Sequence, residues 1–281
     1  MPAELPLSVW ATAQQPSRAQ RAGRYVELSG THPARMLPAI AQRAITTYTA
    51  PGDLVVDPMC GIGTTLVEAI HLGRDAIGIE YEQSWADLAR GNVAHARSQG
   101  ATGHGEVICD DGRHTAGLVD PAVRGLAALV LTSPPYGPSL HGQVKTTAGK
   151  GVQKSHDRYS KDPANLAHVG LSGLLDAMRV MLTGVATLLR PGGMVVMTVR
   201  PWWRDGRLID LPGALTRVGE QAGLVLYERN VALLCGLRGE GLVPRSSFFA
   251  LDQVRKARAR GVPRLVTGHE DLVAWRKAPS Q

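Results

Sequence analysis

The stretch DLVVDPMCGIGTTLVEAIHLGRDAIGIE, residues 53–80, constrains the fold more than any other part of the chain. An apolar run (53–57) stops at Asp57, turns through Gly61 and Gly63, and passes into an apolar-faced helical stretch closed by Gly73. A second run, DAIGIE (75–80), follows at once and ends on Glu80. Two strands joined through a helix run parallel, since an antiparallel pair needs only a tight turn. A parallel sheet is covered by helices on both faces.

The pattern repeats along the chain. Apolar runs recur at 105–111, 126–133, 194–199 and 224–234, and HEDLVAWRK (269–277) alternates like a last strand. Helical periodicity begins at Pro33, with Met36, Leu37, Ile40, Ala44, Ile45 and Tyr48 on one face, and recurs at 84–98, 172–189 and 211–222. The expected fold is α/β, a doubly wound, mostly parallel seven-stranded sheet of Rossmann-like type with inserted loops. With 44% hydrophobic residues in 281, the chain can bury a large core, and with only 5% aromatic the small aliphatics must fill it.

Residues 1–30 are rich in Pro, Ala, Gln and Arg without clear periodicity. They read as a flexible arm, with Arg18, Arg21 and Arg24 spaced either as a basic strip or as part of a solvated tail. Residues 31–281 read as one domain with insertions at about 137–170 and 236–267. The first holds Lys145, Lys150, Lys154, Arg158 and Lys161; it reads as a basic substrate loop that closes over nucleic acid, or as a disordered insertion. The second holds Arg255, Lys256 and Arg258, which either touch phosphates or form a solvated helix face. Overall, 31 Lys and Arg against 24 Asp and Glu give a net charge of +7, which suits a polyanionic partner or serves solubility.

Cys60, Cys109 and Cys235 are far apart and form no metal-spaced set, which suggests a reduced, cytoplasmic protein without structural metal. No apolar run approaches the ~20 residues of a membrane span.

Gly61 and Gly63 let backbone approach a ligand at the strand ends, where open α/β sheets bind. Leu66 stands where the dinucleotide fingerprint needs its third glycine. Asp57 before the turn suits a cationic or amine-bearing ligand better than a pyrophosphate, which it would repel. Glu80 is placed to accept ribose hydroxyls, and Asp110 or Asp111 to take the exocyclic amine of adenine. Three successive strands ending in acid predict a cofactor that carries a nucleoside.

The fourth run ends in Ser133-Pro134-Pro135-Tyr136. Together with the glycine turn, this stretch resembles the (Asp/Asn/Ser)-Pro-Pro-(Tyr/Phe) hallmark of the S-adenosylmethionine-dependent DNA amino-methyltransferases. THPARMLPAIAQRAI, LLRPGGMVVM and HEDLVAWRK are similar to other segments of that family. The resemblance implies a class I methyltransferase fold and S-adenosylmethionine as cofactor. It implies a cofactor site of His32, Pro33, Asp57, Met59, Cys60, Gly61, Gly63, Thr64, Glu80, Tyr81, Asp110, Asp111 and Ser133, although local chemistry also suits His32 as a helix-cap residue. Ser133, Pro134, Pro135 and Tyr136 would hold the target base.

Serine in the first place is similar to the cytosine-N4 branch. Alternatives are adenine N6 in DNA, or an RNA enzyme resembling the tRNA guanine-N2 methyltransferases, which usually carry an extra N-terminal domain and begin the stretch with Asp. The implied partner is DNA, with RNA as the alternative, and the implied location is the cytoplasm, associated with the nucleoid.

Overall fold

A computed structural model describes residues 5–135, 143–147, 151–155, 160, 162, 165–204, 206–246 and 248–278. The strands are β1 (Val9–Trp10), β2 (Leu54–Asp57), β3 (Asp75–Glu80), β4 (Gly105–Cys109), β5 (Ala127–Thr132), β6 (Gln143–Thr147), β7 (Gly151–Ser155), β8 (Leu189–Val199), β9 (Trp202–Arg204), β10 (Arg207–Ile209), β11 (Leu224–Leu233), β12 (Cys235–Arg238), β13 (Gly241–Pro244) and β14 (His269–Lys277). The helices are α1 (Ser17–Arg21), α2 (Pro38–Tyr48), α3 (Thr64–His71), α4 (Gln83–Ser98), α5 (Thr115–Leu118), α6 (Leu171–Leu188), α7 (Leu211–Gln221) and α8 (Phe248–Ala259).

The central sheet has eight strands in the order β1-β11-β14-β8-β5-β2-β3-β4. Strands β4, β3, β2, β5 and β8 are mutually parallel, and β14 is antiparallel to both of its neighbours. The chain winds outward from β2 to β4, then returns to β5 on the other side of β2. The switch point therefore lies between β2 and β5, where such sheets open a crevice at their carboxyl ends.

All seven strands read from apolar runs are present. The eighth, β1, is too short to carry a periodic signal; it pairs in parallel with β11 and covers that edge. Three two-stranded ribbons, β6–β7, β9–β10 and β12–β13, lie outside the main sheet. The first falls in the 137–170 insertion, while β12–β13 and α8 occupy most of 236–267.

Side chains alternate across the sheet and build two cores. Leu129 and Leu131 of β5 join the layer formed by α2, α3 and α4, whereas Val130 joins the layer of α6 and α7. On α6, Leu174, Met178, Met181, Leu182 and Val185 form the buried stripe, each stabilising by roughly 1.5–3 kcal/mol on full burial. This is also the one helix among the described residues long and apolar enough to cross a membrane; here its stripe is packed in that second core.

Helix α2 starts at Pro38, five residues beyond the proline that opens the periodic pattern. Met36 and Leu37 are buried from an extended lead-in rather than from a helical turn, so they carry the apolar signal without the helix.

Residues 5–30 do not behave as the free arm that their composition suggests. Trp10, Ala13 and Tyr25 belong to the core, and Arg21 is buried, donating to the Met36 carbonyl. The anchor is Glu68 on α3, whose carboxylate is fully buried. It accepts a bidentate pair from Arg24 at 2.6–3.0 Å, the Tyr25 hydroxyl at 2.6 Å and Gln42 Nε2 at 2.7 Å. Two of the three evenly spaced arginines are thus structural, and only Arg18 stays exposed.

Candidate active site

The carboxyl edge of the sheet holds a cavity of about 250 Å³. Because neighbouring strands lie side by side, the strand order lays its wall out in sequence. Glu80 ends β3 and Tyr81 follows it, Asp57 ends β2 and Pro58 to Ile62 follow it, and Ser133, Pro134 and Pro135 follow β5. Arg200 follows β8, and Glu270 lies at the start of the antiparallel β14, on the same edge. His32 to Met36 close one side, with Asn165 and Leu166 from the last part of the basic insertion.

The turn after β2 is built for close approach. Gly61 and Gly63 have φ of 54° and 78°, a region that side chains with a Cβ rarely adopt. A Cβ on Gly61 would also lie 3.3 Å from His32 Nε2. The buried His32 ring packs edge-on to Trp85 at 4.6 Å, and its Nδ1 accepts the Ala34 N–H. In the neutral ring the proton therefore sits on Nε2.

Glu80 is buried, and its two carboxylate oxygens accept the Gly61 and Glu82 N–H groups, each at 2.9 Å. These bonds fix the carboxylate against the glycine turn at the cavity wall. Asp57 is also buried, accepting from Thr65 Oγ1 at 2.6 Å and from the Met59 N–H at 3.1 Å. Burial pushes its carboxyl up from an ordinary 3.8 to about 6, against the pull of those donors.

A pH dependence follows for Asp57. Between about pH 4 and 6 the folded state holds a proton that the unfolded chain has released, so stability falls as pH rises through that window. Asp57→Asn should flatten this part of the urea-midpoint profile; an unaltered slope would remove Asp57 as its source.

Asp111 lines the cavity but is engaged by Arg113, which holds both its oxygens through Nε and Nη2. Burial pushes the Asp111 carboxyl up, but the Arg113 guanidinium and backbone N–H outweigh it and leave it below the ordinary range. Asp110 is exposed, takes the Asp111 N–H at 2.6 Å, and is not part of the wall. Both acids lie past the end of β4, and Asp111 is the one that caps the Gly112–His114 turn, its side chain accepting the Arg113 N–H.

The other expected cofactor residues separate in the same way. His32, Pro33, Met59, Cys60, Thr64 and Tyr81 line the cavity, while Gly63 serves the turn, where a Cβ would lie 3.3 Å from the Ala89 Cβ. Tyr81 donates its hydroxyl to Asp162 at 2.6 Å, and Asn165 donates to Glu82 at 3.0 Å. The last part of the basic insertion is thereby tied to the β3 end of the cavity.

Ser133 and Pro135 are half-buried and Pro134 is buried. Tyr136, Lys150, Arg158 and Lys161 lie outside the described residues; Lys145 and Lys154 fall on β6 and β7. Arg255, Lys256 and Arg258 are exposed on α8, with Lys256 paired to Asp252 at 2.8 Å. Arg113, Asn165, Arg200 and Glu270 had no local signal, because the fold brings them to the wall from separate elements.

Residues 3–91 match the family model described as DNA methylase, of N6/N4 type. Over that stretch the chain is similar to the amino-methylating DNA methylases. The match takes in the glycine turn and Glu80, whereas Ser133 lies beyond it.

Two curated proteins extend the likeness. The type II methyltransferase M2.DpnII of Streptococcus pneumoniae is 40% identical over 62 residues, which are 22% of this chain and 23% of that protein. The type II methyltransferase M.ScaI of Streptomyces caespitosus is 34% identical over 94 residues, 33% of this chain and 30% of that protein. The alignments thus span under a third of each relative's length.

Among solved structures, TrmN from Thermus thermophilus superposes with a TM-score of 0.50 at 18% identity, over 93% of this chain and 53% of that one. This likeness concerns the fold, which is the class I methyltransferase type.

Proposed function

We propose that this protein transfers a methyl group from S-adenosylmethionine to the exocyclic amine of a base in DNA, and that the base is cytosine, methylated at N4. One observation carries the reading: the fixed carboxylates of Glu80 and Asp57 share a single cavity wall with the Ser133-Pro134-Pro135 corner.

The residues present fit the cofactor. The glycine turn leaves room where a Cβ would crowd His32, Glu80 offers carboxylate oxygens suited to ribose hydroxyls, and Asp57 supplies negative charge for a cation. When bound, S-adenosylmethionine supplies an electrophilic methyl group on a sulfonium centre.

The chain's own part is to hold and orient the amine. An exocyclic amine is conjugated with its ring, so its lone pair is a poor nucleophile. The Ser133 hydroxyl oxygen and the Pro134 carbonyl can each accept one of its N–H bonds, favouring a more pyramidal nitrogen. The paired prolines fix the direction of that carbonyl. Positioning of this kind supplies much of the rate. A serine hydroxyl is too weak a base to keep the proton released afterwards, so the proton passes to water. A base stacked in a duplex cannot reach this corner, so the target is flipped out or single-stranded.

Glu80→Gln keeps the side-chain volume but removes the charge, and should weaken S-adenosylmethionine about 10- to 100-fold by calorimetry. Equal affinity in the two proteins would remove Glu80 from the site. The function itself is tested by transfer of tritiated methyl to DNA and to RNA, followed by mass analysis of the nucleosides. N4-methylcytosine from DNA is expected; label in RNA alone would overturn the proposal.

A further inference from the structure

We infer that Arg200 is the specificity residue that reads the target ring and selects cytosine. The inference rests on the function proposed above and adds to it a residue that no motif marks.

The sheet register places Arg200. Thr132 of β5 pairs with Met197 of β8, and Val199 of β8 pairs with Asp271 of β14. Counting on from these pairs, Arg200 falls level with the Pro134–Pro135 corner and opposite Glu270. Arg200, Glu270, Ser133, Pro134 and Pro135 all line the same cavity. Glu80 ends a strand three places away, across β2 and β5, or about 14 Å at the usual strand spacing. Arg200 therefore stands at the end of the cavity where the amine acceptors are, away from the ribose-binding end.

The chemistry of that end distinguishes bases. Arginine offers five donors in a planar fork and no acceptor. On cytosine, the edge beside the amine presents N3 and then O2, two adjacent acceptors that a guanidinium spans in bidentate fashion. On adenine, the amine is followed by N1 and then by a C–H, so one arm of the fork loses its partner. A site built to hydrogen-bond both acceptors favours cytosine, because adenine satisfies only one arm of the half-buried Arg200 fork. Glu270, placed opposite, supplies the negative charge that balances the guanidinium beside a cationic cofactor. The β8–β14 ladder thus serves as the ruler that sets the fork against the ring.

The test uses the full chain, tritiated S-adenosylmethionine and unmethylated duplex DNA of mixed sequence, with products identified as nucleosides by mass. Arg200→Ala and Arg200→Lys should both slow N4-methylcytosine formation by about 10- to 100-fold, since lysine keeps the charge but loses the fork. Cofactor affinity by calorimetry should be unchanged in both, which also verifies that they fold. If cytosine methylation in Arg200→Ala matches the unaltered protein, or if the variant loses cofactor affinity instead, the inference is overturned and the proposed function stands. If the unaltered protein yields only methyladenine or no methylated base, the cytosine reading fails first and takes the inference with it.

Discussion

Ser133→Ala should slow methyl transfer by about 100- to 1,000-fold at saturating cofactor, the usual scale for removing one preorganised hydrogen-bond partner at a reacting centre. Ser133 follows the last residue of β5, at the switch-point edge, and lines the cavity beside Pro134. In the proposed function its hydroxyl oxygen is one of two acceptors for the amine, so alanine would leave the nitrogen flat and poorly aimed. Cofactor affinity should hold, because the fixed carboxylates of Glu80 and Asp57 lie on neighbouring strands and do not depend on it. Single-turnover rates with pre-bound cofactor separate the two effects. A variant that binds DNA and cofactor normally and transfers at the unaltered rate would remove Ser133 from the chemistry. A variant that loses cofactor affinity in proportion to rate would move the residue from the amine to the cofactor.

The largest expected effect on stability belongs to Glu68→Ala, at about 3 kcal/mol. The carboxylate is fully buried and serves Arg24, Tyr25 and Gln42 together. Arg24 retains 29% of its side-chain exposure, so water can reclaim much of its charge. Tyr25 is 5% exposed, and its hydroxyl would be left buried without an acceptor. Urea unfolding measures the loss, and Tyr25→Phe in the same background should restore part of it. Residues 5–31 should also become protease-sensitive before the sheet unfolds, since Glu68 ties them to α3. A loss under about 0.5 kcal/mol would mean that the network closes around water at no cost.

The sheet was legible because its signal is local. Each of the seven long strands is an apolar run bounded by Gly, Pro or acid, and each connecting helix carries its own periodicity. The glycine turn and the three strand-end acids were legible for the same reason, since spacing along the chain fixes which edge they reach. What could not be read depends on partners distant in sequence. Arg24 looks like one of three surface arginines until Glu68, 44 residues on, folds against it. The single clue was a glutamate inside the apolar helix TTLVEAIH, where an unpaired charge would be costly. Arg200 and Glu270 meet the cavity only through the β5–β8–β14 register, which no local pattern encodes. Asp110 and Asp111 were indistinguishable by sequence, and the turn that Asp111 caps after β4 separates them.

A crystal structure of the protein with S-adenosylhomocysteine bears most directly on the central claim. The account predicts the ribose hydroxyls on the Glu80 carboxylate and the sulfur turned along the edge towards Ser133 and Pro134. A ligand bound in the opposite sense, with its sulfur at the Glu80 end, or held away from this cavity, would contradict it.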